Sequence, residues 1–247
     1  MDQAGIGHAR GAGTAVVTGA GGGIGEALAR AVAPLVDAVA LADLDGTAVE
    51  RVAASIGPAA GAHRVDVADP AQVEALAAAV PGVRWVFLNA GIVGEHVGAP
   101  WEVPPAEWRR VLDVNLGGVV NGLRSFVPRL LAAGGPAHVV VTASLAGAAV
   151  FGGGGAYGPS KHAVLAVARH AALALEGTPV RVHVLCPDLV RSGMSEQGRE
   201  PAEIARRALD LVREDRFAWV PEEWTDAVRE GAVRLGAGEW PLTPRPR

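Results

Sequence analysis

Tyr157 and Lys161 are the chain's only tyrosine and only lysine, and they stand four residues apart. On a helix that spacing puts both side chains on one face. A phenol ionises near pH 10 in water, and a neighbouring ammonium favours the phenolate. Moving it to about 7 takes roughly 4 kcal/mol of differential stabilisation. The product would be a general base poised near neutrality. Such pairs are also common on amphipathic surfaces, so the meaning of this one depends on its surroundings. The scarcity of Tyr and Lys reads as mutational bias, since 21 of the 22 basic residues are Arg.

A second kind of chemistry is written in Thr18-Gly19-Ala20-Gly21-Gly22-Gly23-Ile24-Gly25. Backbone without Cβ admits an anion closely, and the free N–H groups of a helix starting near Ile24 favour its charge. The turn could therefore hold a dinucleotide pyrophosphate. Asp43 lies 24 residues beyond Gly19, where a carboxylate can hydrogen-bond the adenosine ribose hydroxyls. There it would confront the extra phosphate of NADP. Two unit charges about 4 Å apart at an effective dielectric of ~20 repel by roughly 4 kcal/mol. No Arg or Lys lies in the glycine turn to offset this, so NAD is expected rather than NADP.

The elements that must position these groups alternate between short apolar β-branched runs and segments of helical period. Strands are expected at Thr14–Thr18, Ala38–Ala42, Ala62–Val67, Arg84–Asn89, His138–Ala143 and Val180–Cys186. Helices are expected at Ile24–Ala33, Thr47–Ser55, Pro70–Ala79 with Asp69 as N-cap, Pro105–Leu131 and Tyr157–Glu176. A helix at Pro201–Asp215, a strand at Arg216–Val220 and a helix at Glu222–Leu235 complete the pattern. Strands apolar on both faces belong in a parallel sheet covered on each side. The fold class is thus α/β, a three-layer doubly wound parallel sheet with helices on both faces. No linker or repeat divides residues 1–247, so one domain is expected, with 1–12 and 241–247 as flexible ends.

Thr18-Gly-x3-Gly-Ile-Gly25, Asn89-Ala90-Gly91, Asn115, Ser144 and Tyr157-x3-Lys161 together resemble the short-chain dehydrogenase/reductase family. The likeness runs from about Thr14 to Met194, in the family's order and spacing, with 13 residues from Ser144 to Tyr157. It implies a Rossmann fold of about seven strands, an NAD(P)-dependent oxidoreductase, and a homodimer or homotetramer. By position, Tyr157 would exchange a proton with the substrate oxygen. Lys161 would lower its pKa and hold the nicotinamide ribose, Ser144 would bond the substrate oxygen, and Asn115 would hold a relay water. Gly19, Gly21, Gly22, Gly23, Ile24 and Gly25 would cradle the pyrophosphate. Asn89, Ala90 and Gly91 would flank the adenosine ribose, and Asp66 with Val67 would meet the adenine. Pro187, Val190 and Ser192 would border the nicotinamide. One departure stands out: where the family usually continues Pro-Gly, this chain has Pro187-Asp188, adding a carboxylate of open role.

The substrate cleft of an open α/β sheet lies over the carboxyl ends of the strands. Its walls are expected from Gly94–Trp101, Leu145–Ala156 and Asp188–Arg199, with Trp101, Val150, Phe151 and Met194 making them apolar. A hydrophobic or alicyclic secondary alcohol and its ketone are expected. The alternatives are an NADPH-dependent ketoreductase of a thioester-linked substrate and a non-catalytic NAD-binding protein. Trp219, Trp224 and Trp240 are expected to serve packing or subunit contacts.

Composition narrows the remaining classes. A net charge of −4 gives no footprint for nucleic acid or an anionic membrane. One cysteine, Cys186, forms no internal disulfide, no leader pattern opens the sequence, and a cytoplasmic location is expected. Seven scattered His without ligand spacing give no metal site. The uncharged run Leu130–Ser160 is long enough for a bilayer, but Gly134, Gly135, Pro136 and Gly152–Gly155 would break it.

Overall fold

A computed structural model describes residues 13–96, 98–191 and 196–247. Seven strands form one sheet of parallel pairs in the order β3-β2-β1-β4-β5-β6-β7. They are β1 Thr14–Thr18, β2 Ala38–Asp43, β3 Ala60–Arg64, β4 Val83–Leu88, β5 Ala137–Thr142, β6 Val180–Leu185 and β7 Ala218–Trp219. The chain winds outward from β1 to β3, then restarts beside β1 with β4. That reversal opens a crevice beyond the carboxyl ends of β1 and β4.

Successive strand residues face opposite layers, and both layers are apolar. Ala15, Val17, Val39, Leu41, Phe87, Val140 and Leu185 pack under α1 (Gly23–Val32), α2 (Gly46–Ile56) and α8 (Pro201–Arg213). Val16, Ala40, Val86, Leu88, Val139, Val141 and Val184 pack under α3 (Pro70–Ala79), α5 (Gly118–Ala133) and α7 (Tyr157–Ala174). Each fully buried Val, Leu or Phe contributes about 1.5–3 kcal/mol of hydrophobic stabilisation. Among the described residues no helix is long and apolar enough to cross a membrane.

Several elements differ from the sequence expectation. The edge strand ends at Arg64 rather than Val67, because β2, its only partner among the described residues, ends at Asp43 opposite Arg64. Val65 N–H makes one more bond to Asp43 O at 2.8 Å, and Asp66 Oδ1 then turns the chain by accepting from Ala68 N–H at 2.9 Å. The long helix is really α4 (Pro105–Leu112) and α5, joined by a π-helical turn over Asp113–Gly117. The last segment is a 3-10 turn, Glu222–Trp224, followed by α9 (Thr225–Gly236). A one-turn helix α6, Leu145–Ala148, was not expected. Residues 241–247 are irregular, with Arg247 N–H donating to Glu223 O at 3.0 Å.

Candidate active site

The crevice is a cleft of about 830 Å³. At its floor the ends of three central strands are stitched together by side chains. Thr18 Oγ1 accepts from the N–H groups of Asn89 (2.9 Å) and Ala90 (3.2 Å). Asn89 Nδ2 donates to Thr18 O at 3.1 Å, and Thr142 Oγ1 donates to Asn89 Oδ1 at 3.0 Å. Asn89 is therefore a strut between β1, β4 and β5.

The glycine turn owes its shape to what a Cβ would strike. At Gly25 a Cβ would stand 1.9 Å from Gly19 O, and at Gly19, with φ +67°, 2.8 Å from Ala90 Cα. A Cβ at Gly22, by contrast, would meet no protein atom within 4 Å. Gly22 is the N-cap of α1 and offers no side-chain cap, so the first N–H groups of the helix face that free space. Such a cradle suits an anionic group approaching the backbone. Asp43 closes it on one side, accepting from Gly21 N–H at 2.8 Å and Asp45 N–H at 3.0 Å.

The second group of residues stands around α7. Tyr157 opens this helix, and Lys161 follows one turn later. Lys161 is 3 % exposed, its Nζ donating to Thr142 O at 2.9 Å and standing 5.8 Å from the Tyr157 ring centre. Burial pulls its pKa down to about 8, partly opposed by Cys186 behind it. Burial pushes the Tyr157 phenol above its ordinary value, against a lowering hydrogen bond with Ser144. In the free protein the Lys161 ammonium is held by the Thr142 carbonyl, and burial is the dominant influence on the phenol. Ser144 caps α6 by accepting from Ala146 N–H at 3.1 Å.

Asn115 is presented by the π-helical turn, which adds a residue to the helix and redirects the side chain. Its Oδ1 accepts from Ile92 N–H at 2.8 Å; its Nδ2 donates to Ile92 O and to Ser160 Oγ, both at 2.9 Å. Ser160 Oγ donates onward to Tyr157 O at 2.7 Å. A Cβ on Gly91 would meet Asn115 Oδ1 and Lys161 Nζ at 3.2 Å each, so the two share the space beside Gly91.

Of the residues expected at the site, Gly19, Gly22, Gly23, Ile24, Asp43, Asn89, Ala90 and Gly91 line one end of the cleft. Ser144, Phe151, Tyr157, Lys161, Pro187 and Val190 line the other. Gly25 and Asn115 are buried and Gly21 is half-buried; none of the three is in the lining. Asp66 and Val67 are not part of the lining: Asp66 is engaged in its own turn, and Val67 O accepts from Asn121 Nδ2 at 2.9 Å. Val150 is 60 % exposed and Trp101 85 % exposed, and neither reaches the cleft. Ser192 and Met194 lie outside the described residues. Sequence reasoning missed Val93, Thr142, Ala143 and Trp224, all in the lining. Trp224 packs as expected, meeting Phe151 edge-on with ring centres 5.6 Å apart, and in doing so it also lines the cleft.

The short-chain dehydrogenase family model matches residues 13–203, which include the whole cleft floor and the Tyr157–Lys161 helix. The chain belongs to the short-chain dehydrogenase/reductase family. It is similar to 1-deoxy-11-beta-hydroxypentalenate dehydrogenase of Streptomyces exfoliatus, 46% identical over 73% of this chain and 68% of the relative. It is also similar to cyclohexanol dehydrogenase of Acinetobacter sp., 33% identical over 75% of this chain and 76% of that one. A short-chain dehydrogenase/reductase from Burkholderia phymatum in complex with NAD superposes with a TM-score of 0.87, at 30% identity over 95% of this chain and 98% of its own. A metagenomic short-chain oxidoreductase in complex with NADP gives a TM-score of 0.72, at 32% identity over 82% of this chain and 91% of its own. Membership makes this dehydrogenase an oxidoreductase that uses a nicotinamide cofactor.

Proposed function

We propose that this dehydrogenase interconverts a hydrophobic or alicyclic secondary alcohol and its ketone, with NAD preferred over NADP. The carrying observation is that Tyr157, Ser144 and Lys161 share one largely apolar cleft with the open glycine cradle. The names of the relatives acting on cyclohexanol and on a hydroxypentalenate support the alcohol class.

The nicotinamide, when bound, supplies the hydride acceptor, which is the demanding part of the chemistry. The chain supplies geometry and a proton path. Gly19, Gly21, Gly22, Gly23, Ile24 and Gly25 would hold the pyrophosphate against the first turn of α1, and Asp43 the adenosine ribose. Asn89, Ala90 and Gly91 would border that ribose. Asp66 and Val67 would meet the adenine, and Pro187, Val190 and Ser192 would border the nicotinamide. Ser144 would orient the substrate oxygen by a hydrogen bond, and Tyr157 Oη would take its proton. Lys161 would hold the nicotinamide ribose and favour the phenolate once its ammonium is turned toward the cleft. Asn115, sharing the space beside Gly91 with Lys161, would hold the water that passes the proton on. Phe151 would contact the substrate's apolar body.

Asp43 in the lining supports NAD, because a ribose phosphate there would meet its carboxylate. Arg51 lies nearby, donating to Gly21 O at 3.0 Å, but it is paired with Glu26 at 3.3 Å. A homodimer or homotetramer in a reducing cytoplasm fits the single buried Cys186 and the family's habit; light scattering would count the subunits.

A panel of alcohols and ketones, followed by the absorbance of reduced nicotinamide with NAD and with NADP, tests this reading. Turnover of cyclic secondary alcohols with NAD is expected. Activity confined to small charged hydroxy acids, or a clear NADPH preference, would overturn it.

A further inference from the structure

Asp188 stands where the family usually has Gly, and its carboxylate has a defined partner. Arg199 Nε donates to Asp188 Oδ1 at 2.8 Å, and Arg199 Nη1 donates to Glu203 Oε1 at 2.8 Å. Nη2 donates to Glu223 Oε1, and the guanidinium lies over the Trp219 ring at 6.0 Å. One half-buried cation thus gathers carboxylates from three segments: the loop after β6, helix α8, and the turn before α9. Backbone bonds close the base of the intervening loop. Arg199 N–H donates to Leu189 O at 2.8 Å, and Arg191 N–H donates to Arg199 O at 2.9 Å. At Gly198, with φ +109°, a Cβ would stand 2.1 Å from Leu189 O, so this crossing admits no side chain.

The third of these segments carries part of the cleft. Glu223 directly precedes Trp224 on the 3-10 turn Glu222–Trp224, which contains no buried residue of its own. Trp224 lines the cleft and meets Phe151 edge-on, at an interplanar angle of 74°. The turn's own residues are not buried, so beside the buried Pro221 that precedes it and the Arg247 N–H bond to Glu223 O, the Glu223 carboxylate ties it to the body of the fold. A single exposed ion pair would be too weak for that. A guanidinium shared by three acids and stacked on an indole is a network of charge-assisted bonds.

We propose that Arg199, with Asp188 and Glu223, is a positioning device that holds Trp224 against Phe151, and so sets the cleft's preference for ring-bearing apolar alcohols. The proposal rests on the alcohol dehydrogenase reading above. It also gives Asp188, which lines the cleft, a role: one of its carboxylate oxygens is committed to Arg199.

Glu223→Gln cuts the tie to the Trp224 turn while keeping its size, and Asp188→Asn weakens the same network from the other side. Both should raise KM for a cyclic secondary alcohol by roughly three- to tenfold, with kcat within about twofold. KM for a small acyclic alcohol and the dissociation constant of NAD should not move. Trp224→Ala should raise the same KM at least as far, and Glu223→Gln added to it should cost nothing more. Additive effects, or a shift in NAD binding in place of the cyclic-alcohol KM, would overturn the proposal. An independent readout is hydroxyl-radical footprinting of the unliganded protein, read residue by residue by mass spectrometry. Labelling of Trp224 should rise in Glu223→Gln and in Asp188→Asn; unchanged labelling in both would overturn the proposal. If wild type turned over no alcohol at all, the alcohol reading would fail, and the footprint alone would decide whether the clamp exists.

Discussion

The two ends of the cleft are built by different physics. The end under β1, β2 and β4 is backbone: glycines whose Cβ would collide, N–H groups at a helix start, and side chains such as Thr18 and Asn89 spent on bracing strand ends. The end beyond β5 and β6 is side chain: Ser144, Tyr157, Phe151 and Trp224, with charged contacts that reach across the fold from Asp188 to Glu223. A backbone cradle tolerates almost no substitution and recognises what every dinucleotide shares. A side-chain wall can be exchanged residue by residue, which is how one fold serves many substrates. Tyr157 and Lys161 sit at the seam.

The largest effect is expected at that seam. Tyr157→Phe should keep NAD binding and lose about 10²–10⁴ in kcat, the usual contribution of general acid–base catalysis. Lys161→Arg should also lose most activity, since a planar guanidinium does not replace a compact ammonium in a fully buried slot.

Next comes the contrast within the cradle. Gly25→Ala drives a Cβ into Gly19 O and should destabilise the protein by about 1–3 kcal/mol or more. Thermal unfolding and nucleotide titration should both report it. Gly22→Ala, whose Cβ meets no protein atom, should leave thermal unfolding unchanged and weaken nucleotide binding alone. Equal unfolding behaviour in the two variants would remove the steric account of the turn.

A smaller effect is expected at Asp43. Its replacement by Asn removes the charge that a ribose phosphate would meet, and the NADP-to-NAD ratio of kcat/KM should rise at least about tenfold. An unchanged ratio would take cofactor choice away from this residue.

The smallest effect lies away from the cleft. His183 Nδ1 donates to Arg216 O at 2.7 Å, which leaves its Nε2 to accept from His138 Nδ1 at 3.2 Å. Burial lowers both pKa values, that of His138 to about 4. The folded state therefore favours neutral rings. This contribution is complete above the unfolded value near 6.5 and is lost as pH falls from there toward 4. Melting temperature should decline over that interval, and His138→Gln should flatten the decline without changing kcat at neutral pH.

How much of this was legible in sequence follows the same division. Gly19, Gly22, Gly25 and Asp43 could be placed by spacing because turn, strand and helix lengths are short and local. Tyr157 and Lys161 were legible through helical periodicity. The edge strand was misplaced because Val65 and Val67 are apolar for core burial, while pairing stops where β2 stops. The π-helical turn at Asn115 has no composition signature. Trp224 and the Arg199 network were out of reach, because their contacts join residues far apart in the chain and only packing brings them together. Helical spacing put an ammonium near Tyr157, but it could not show the burial that raises the phenol's pKa or the Thr142 carbonyl that receives the ammonium.

Because the chain has a single tyrosine, ultraviolet difference titration of phenolate reads Tyr157 alone. The account predicts a midpoint above the ordinary value near 10 in the free protein, where burial opposes ionisation. Saturating NAD should shift the midpoint down toward neutrality, and Lys161→Met should abolish that shift. A midpoint that NAD leaves in place, or that shifts equally without the Lys161 ammonium, would contradict the assignment of Tyr157 as the base.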